Sequence, residues 1–256
     1  MSHGPLDGVK VLDLSEDIAG SFCGRLMADY GADVLKIERP DGGDGARHLG
    51  PFPNNEPHPE KSGLFLHLNT NKRGISLDLE AATGRAILMK LLESADIFVE
   101  NQPPETSLRR GLDYASLKVL FPRLVVTSIT PFGQTGPYRD YKGSDLTTNA
   151  AGGLSFGTGY AHREPLTTPA YQASYMAGLT AALASAIALL WRDLTGQGQM
   201  VDVSESQVAT VLINGYHLPT YIYRGIAGWR SGNRITLGRF PNCVLPCRDG
   251  YIAIDC

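Results

Sequence analysis

Four short runs of apolar, β-branched residues punctuate the first half of the chain: Val9 to Leu14, Ala32 to Ile37, Ile97 to Val99 and Leu124 to Ile129. Between them apolar positions recur at helical spacing, which predicts a helix over Ser21 to Tyr30, stopped by Gly31, and another over Leu79 to Ala95. Strands that alternate with helices pair in parallel through right-handed crossovers, so the pattern predicts a Rossmann-like α/β layer with helices on both faces of the sheet. A longer apolar helix begins near Ala173 and ends at the GQGQ stretch, Gly196 to Gln199. Its apolar run, Ala177 to Trp191, falls short of the roughly 20 residues needed to cross a bilayer and predicts a buried helix. The VDVSES and YRGIAGWRSGNR segments then predict a crossover into another lobe, and Tyr251 to Cys256 alternates like a strand after an Asp249-Gly250 turn. The expected domains are therefore residues 1–200, a large sheet domain, and 201–256, a linker and the start of a smaller one.

Composition narrows the function classes. A 43% hydrophobic chain of 256 residues can bury a substantial core. Its 23 basic and 26 acidic residues leave a net charge of −3, which offers no broad positive field for nucleic acid or anionic lipid. An anionic ligand must meet a local cluster instead. Four unevenly spaced cysteines (23, 243, 247, 256) form no disulfide framework, and the polar opening MSHGPLDGVK is no secretory signal, so a reducing cytoplasm is expected. His48, His58 and His67 fit no common ligand spacing and no metal is expected. Gly42 to Gly50 lacks the Gly-Lys-Ser/Thr ending of a P-loop, and no G-x-S-x-G elbow occurs. The Gly-, Pro- and Asp-rich stretch Pro40 to Lys61 predicts a long surface excursion between sheet elements.

Several segments carry a family resemblance: VKVLDLS (Val9 to Ser15), ADVLKIERP (Ala32 to Pro40), NKRGISLDL (Asn71 to Leu79), ADIFVENQPP (Ala95 to Pro104) and SITPFGQTGPY (Ser128 to Tyr138). Together they closely resemble the class III coenzyme A transferases, the CaiB/BaiF family, of which this sequence resembles the N-terminal two-thirds. The resemblance implies coenzyme A or an acyl-CoA as substrate with a carboxylic acid as co-substrate, and an interlocked homo- or heterodimer. CoA is long and polyanionic, so its phosphates call for guanidinium and ammonium groups while its other parts lie on apolar surface. By resemblance, Arg39, Asn71, Lys72, Arg73, Arg109 and Lys142 stand at nucleotide-contacting positions, and the loop Ser15 to Gly20 offers backbone contacts at Ala19 and Gly20 to the thioester end.

The same resemblance exposes a departure. The family places its nucleophilic aspartate four residues before the glycine equivalent to Gly178, where this chain has Ser174. No Asp or Glu occurs anywhere from Pro165 to Arg192, so a slip in register does not restore the acid. The racemase branch of the family uses a His-Asp pair and a second Asp; here Ser144 precedes Asp145, and the second acid again falls at Ser174. Three readings stay open: a subunit whose Asp-bearing paralogue supplies the carboxylate, a stand-alone acyl-CoA enzyme using Glu16, Asp145 or Glu164, or a non-catalytic acyl-CoA binding protein. A substitution introduced deliberately at position 174 would give the same sequence.

Overall fold

In the computed structural model, which describes residues 4–212, 217–226, 228, 230, 232 and 242–255, the chain divides into two compact units. The first comprises Met1–Lys142 and Ser174–Glu205, the second Gly143–Ala173 and Ser206–Cys256. Residues 143–173, expected within the large domain, thus group with the C-terminal segment.

The first unit is built on strands β1 (Lys10–Asp13), β2 (Asp33–Glu38), β3 (Arg73–Ser76), β4 (Ile97–Glu100), β5 (Val125–Thr130) and β6 (Met200–Ser204). They form one sheet in the order β3-β2-β1-β4-β5-β6, and every pairing is parallel. The four expected strands are its centre. At the edges β3 and β6 add two more strands, β6 where the sequence suggested a crossover. The connecting helices are α1 (Ala19–Asp29), α2 (Gly63–Leu68), α3 (Ala82–Leu92), α4 (Pro104–Arg110) and α5 (Tyr114–Leu120), with most of α8 (Gln172–Thr195), from Ser174 onward, in the same unit.

The strand alternation sorts the sheet into two faces. Leu12, Leu14, Ile37, Phe98 and Val126 pack with Leu88 and Leu92 of α3 and Leu117 of α5 in one core cluster. The intervening positions, such as Asp13, Lys36 and Thr127, point to the face that α1 and α8 cover. There the Thr127 hydroxyl meets Ser185 of α8 at 2.6 Å, and Ala177, Ala181 and Ala188 are fully or almost fully buried. At 24 residues α8 runs where the sequence placed it, from beside Ala173 to the GQGQ stretch, its polar ends extending the apolar run. Length and composition alone would let it cross a membrane; its small residues and Ser185 pack one side of it on the sheet, while Leu183, Ile187, Leu190 and Leu194 stand exposed, so the helix expected to be buried is buried on one side only.

The second unit holds α6 (Asp145–Ala151), the single turn α7 (Leu154–Gly157), most of α9 (Glu205–Leu212), α10 (His217–Arg224) and the hairpin β7 (Asn242–Cys247) with β8 (Gly250–Asp255). Gly152 lets α6 approach α9, since a Cβ there would lie 2.6 Å from both Ala209 Cβ and the Ser206 carbonyl. The Arg230 guanidinium donates to the carbonyls of Phe156, Tyr160, Ala161 and Arg163 at 3.0–3.3 Å, gathering that loop. Much of the expected crossover segment, and Cys256, lies outside the described residues.

Candidate functional site

Strand order reverses between β1 and β4, and in open parallel sheets the carboxyl ends of the strands at such a switch point frame the ligand crevice. The β1–α1 loop, Leu14 to Ile18, lies there. Its backbone is held by side chains: Ser15 N donates to Asp13 Oδ1 (3.1 Å), Glu16 N to Asn101 Oδ1 (2.9 Å) and Asp17 N to Asp44 Oδ1 (2.8 Å). Asn101, just past β4, also donates to the Glu16 carbonyl at 2.7 Å and so clasps the two sides of the switch point together. Asp17 adopts φ of 61°, a left-handed conformation costing about 1 kcal/mol in a non-glycine residue. These bonds narrow the sequence expectation, since the amides of residues 15–17 are consumed within the protein. The start of α1 follows directly on this loop, and no side chain caps it. Ala19 and Gly20 sit there, both buried. Gly20 is required, because a Cβ would run into the Ser15 side chain.

Beneath α1 lies a charge network that sequence reasoning did not assemble. Asp13 and Lys36 are register partners on β1 and β2, both facing α1. Lys36, 2% exposed, contacts Asp44 Oδ2 at 2.7 Å and Ser21 Oγ at 2.9 Å, and also donates to the Ser15 carbonyl. Lys72 reaches the same region and spends all three donors there, on Asp13 Oδ2 (2.7 Å), the Ser21 carbonyl (2.7 Å) and Asn69 Oδ1 (2.8 Å). Burial opposes ionisation of Asp13, but Lys36 and Lys72 outweigh it and hold its pKa below the ordinary carboxylate range. Burial likewise opposes the Lys36 charge, which Asp13 and Asp44 more than restore, leaving its pKa raised. For Lys72 burial prevails, helped by Lys36, over the attraction of Asp13, and its pKa is lowered. Charges at inward-facing strand positions were the available signal. Buried lysines are rare unless paired.

The excursion after β2 is less superficial than its composition predicts. Asp44 and Ala46 are 1% and 0% exposed. Glu38 and Arg47 form a bidentate pair at 2.7 and 2.9 Å, with the guanidinium carbon 3.7 Å from the centre of the Phe65 ring.

Ser174 is 6% exposed in the first turn of α8. Gly178, one turn later on the same helix face, lies against α1 so closely that a Cβ would run into the Ala19 carbonyl. Tyr175 meets the Phe22 ring edge-on, centroids 4.9 Å apart, and His67 at 6.1 Å. The position of the missing carboxylate is therefore packed near the start of α1, at the same edge of the sheet as the β1–α1 loop.

The basic residues named from the sequence separate into groups. Arg39 follows β2 at this edge, 55% exposed, with Nη2 3.8 Å from Glu16 Oε2. Burial raises the Glu16 pKa, Arg39 opposing it. Arg109, in the last turn of α4, and Lys142, at the end of the first segment, are both exposed. Asn71 and Arg73 lie at the other edge, where Asn71 holds Asp29 at the end of α1 (2.7 Å) and Arg73 pairs with Asp33 at the start of β2 (2.7 Å). Lys72 has no donor left for a phosphate. In the second unit, Ser144 caps α6 by accepting from Thr147 N, Asp145 accepts from Asn149 Nδ2 at 2.8 Å, and Glu164 is exposed.

Another buried acid lies on the opposite face of the sheet. Glu100, 3% exposed at the end of β4, accepts from Gln102 N (2.8 Å) and Ser107 Oγ of α4 (3.0 Å) and bonds Ser128 of β5. Burial raises its pKa against these bonds. Ser128 in turn accepts from Gln134 Nε2 at 2.8 Å, which links the acid to the loop after β5. The edge thus offers a shaped backbone turn, an uncapped helix start and an exposed arginine, with no carboxylate in the first turns of α8.

Comparison with known proteins agrees with this architecture. CoA-transferase family III matches residues 6–256. The chain is 34% identical over 256 residues to the succinate–glutarate CoA-transferase of Agrobacterium fabrum, covering 98% of this chain and 62% of that protein. It is 37% identical over 249 residues to subunit BbsE of the succinyl-CoA:(R)-benzylsuccinate CoA-transferase of Thauera aromatica, covering 96% and 58%. Among solved structures, a CaiB/BaiF family protein from Brucella suis superposes with a TM-score of 0.90 at 34% identity, covering 100% of this chain and 67% of that one. The chain spans 58–62% of the length of these two curated relatives.

Proposed function

Because the chain belongs to CoA-transferase family III, we propose that it takes part in moving coenzyme A from an acyl-CoA thioester to a carboxylic acid, as the subunit that does not supply the nucleophile. In this chemistry a carboxylate attacks the thioester carbonyl, forms a mixed anhydride and releases CoA thiolate, splitting one exchange into easier steps. The observation that carries the reading is the buried Ser174 beside α1, together with the absence of Asp and Glu from residues 165–192. A serine needs an adjacent base to replace a carboxylate nucleophile. Glu16, one of the acids the sequence suggested, lies beside Arg39 on the β1–α1 loop.

The chain's own contribution is binding and shaping. Ala19 and Gly20 would present the α1 amides and helix dipole to the thioester end, and Arg39, Arg109 and Lys142 would meet the phosphates. An Asp-bearing paralogue, joined in an intimate dimer, would supply the attacking group. Two relatives support a divided enzyme by their names: subunit BbsE, and the beta subunit of the succinyl-CoA–L-malate CoA-transferase of Chloroflexus aurantiacus, 33% identical. The test is exchange of label between an acyl-CoA and its free acid, with this chain alone and after mixing with the Asp-bearing protein that co-purifies with it. Exchange is expected only in the mixture; robust exchange by the chain alone would redirect the search to Glu16, Asp145 and Glu164.

A further inference from the structure

We propose that Asp44 and Lys36 are positioning residues that hold the left-handed turn at Asp17, and with it the start of α1, in the conformation that receives the thioester end of CoA; the ligand named here rests on the reading above. Asp44 comes from the excursion after β2, 27 residues from Asp17 in sequence. Its single carboxylate has four partners. Oδ1 accepts from Asp17 N and Ala46 N, both at 2.8 Å, and Oδ2 accepts from Ser21 Oγ at 3.2 Å and Lys36 Nζ at 2.7 Å. Lys36 completes the grip by donating to Ser21 Oγ and to the Ser15 carbonyl. Two buried side chains therefore hold residues 15, 17 and 21, which bracket Ala19 and Gly20.

Stability alone does not explain this arrangement. A buried ion pair is often no better than aliphatic side chains of the same volume, and glycine would adopt the turn at position 17 without strain. Position 36 lies on a strand whose neighbouring inward residue is Val34, so an aliphatic residue would suit the packing. What the pair adds is a fixed direction for the loop. A preformed backbone site binds without first having to order itself.

The experiment uses the full chain with Asp44→Ala, Lys36→Met and, as a control of comparable destabilisation, Leu88→Ala, whose side chain is 1% exposed on the opposite face. Two quantities are read: hydrogen exchange of the amides from Ser15 to Gly20, and the Kd for free CoA by calorimetry. Asp44→Ala and Lys36→Met are expected to speed exchange at the loop, at Asp17 above all, and to weaken CoA binding by about tenfold, while Leu88→Ala leaves both near wild type. Unchanged exchange at Asp17 in Asp44→Ala, or CoA affinity equal to that of Leu88→Ala, overturns the proposal. Should Asp44→Ala not fold, Asp44→Asn, which keeps an oxygen for Asp17 N but loses the charge facing Lys36, is read on the same scales with a smaller expected change. A wild-type chain that takes up no CoA sinks the ligand reading, and loop exchange then decides the holding role by itself.

Discussion

Replacing Lys72 with methionine separates the two roles this residue has been given. The sequence resemblance makes it a phosphate ligand; the structure places its ammonium, 1% exposed, against Asp13, the Ser21 carbonyl and Asn69. Methionine keeps most of the stem volume, so no large cavity forms, and the loss is the charge with its three hydrogen bonds. Removing one partner of a buried pair costs about 3–5 kcal/mol. The lower end applies, because Asp13 keeps Ser15 N at 3.1 Å and Lys36 at 4.0 Å. A loss of about 3 kcal/mol lowers Tm by roughly 6–12 °C in a chain of this size. Because an orphaned Asp13 causes most of the damage, Asp13→Asn with Lys72→Met should cost less than the two single losses added, by about 2 kcal/mol. Urea titrations of the four proteins give these energies, and calorimetry on Lys72→Met gives its CoA affinity, expected within about twofold of wild type. A stability loss below about 1 kcal/mol together with weakened CoA binding would refute the structural role and restore Lys72 to the ligand site.

Glu38 owes its lowered pKa to Arg47 and the Asp44 amide, which overcome the effect of burial. A carboxylate depressed on folding stabilises above its unfolded pKa of about 4.3, and loses that contribution as pH falls through the folded value. Glu38→Gln should therefore cost about 1–2 kcal/mol at pH 7 and progressively less in acid, which urea midpoints across pH will show; a constant deficit would contradict it. Glu100 has the opposite sign, since a raised carboxyl pKa makes ionisation destabilising as pH rises above about 4.3. Glu100→Gln should be nearly neutral at pH 4 and stabilising at pH 8, and a fall in Tm at pH 8 would count against the assignment. Gly178→Ala should destabilise by about 1–3 kcal/mol through the clash with the Ala19 carbonyl. Stabilisation, as helix propensity alone favours by about 1 kcal/mol, would show that α1 and α8 are less closely packed.

The central sheet was readable because β1, β2, β4 and β5 are buried on both faces and rich in β-branched residues, a signal that survives in one dimension. The edge strands were harder for a physical reason. β3 has four residues, among them Gly74, and none is buried, so nothing in its pattern demands a sheet. In β6, Val201 and Val203 do alternate inward, yet a five-residue strand beside a glycine turn also reads as a crossover. The charge network was half visible: Asp13 and Lys36 break otherwise apolar strands at inward positions. Their partners Asp44 and Lys72 lie in distant segments that only the parallel topology brings under α1. For the same reason the basic residues could be named by motif but not sorted, and Asn71 and Arg73 prove to brace the opposite edge from Arg39.

The central claim is that this chain shapes a CoA site without providing the attacking carboxylate. The most direct measurement is peptide mass spectrometry after the chain and its Asp-bearing partner are incubated together with an acyl-CoA and quenched with hydroxylamine, which converts an acyl anhydride on a carboxylate into a hydroxamate. The account predicts hydroxamate on an aspartate of the partner and none on any peptide of this chain. A hydroxamate on Glu16, Asp145, Glu164 or any other acid of this chain would contradict it.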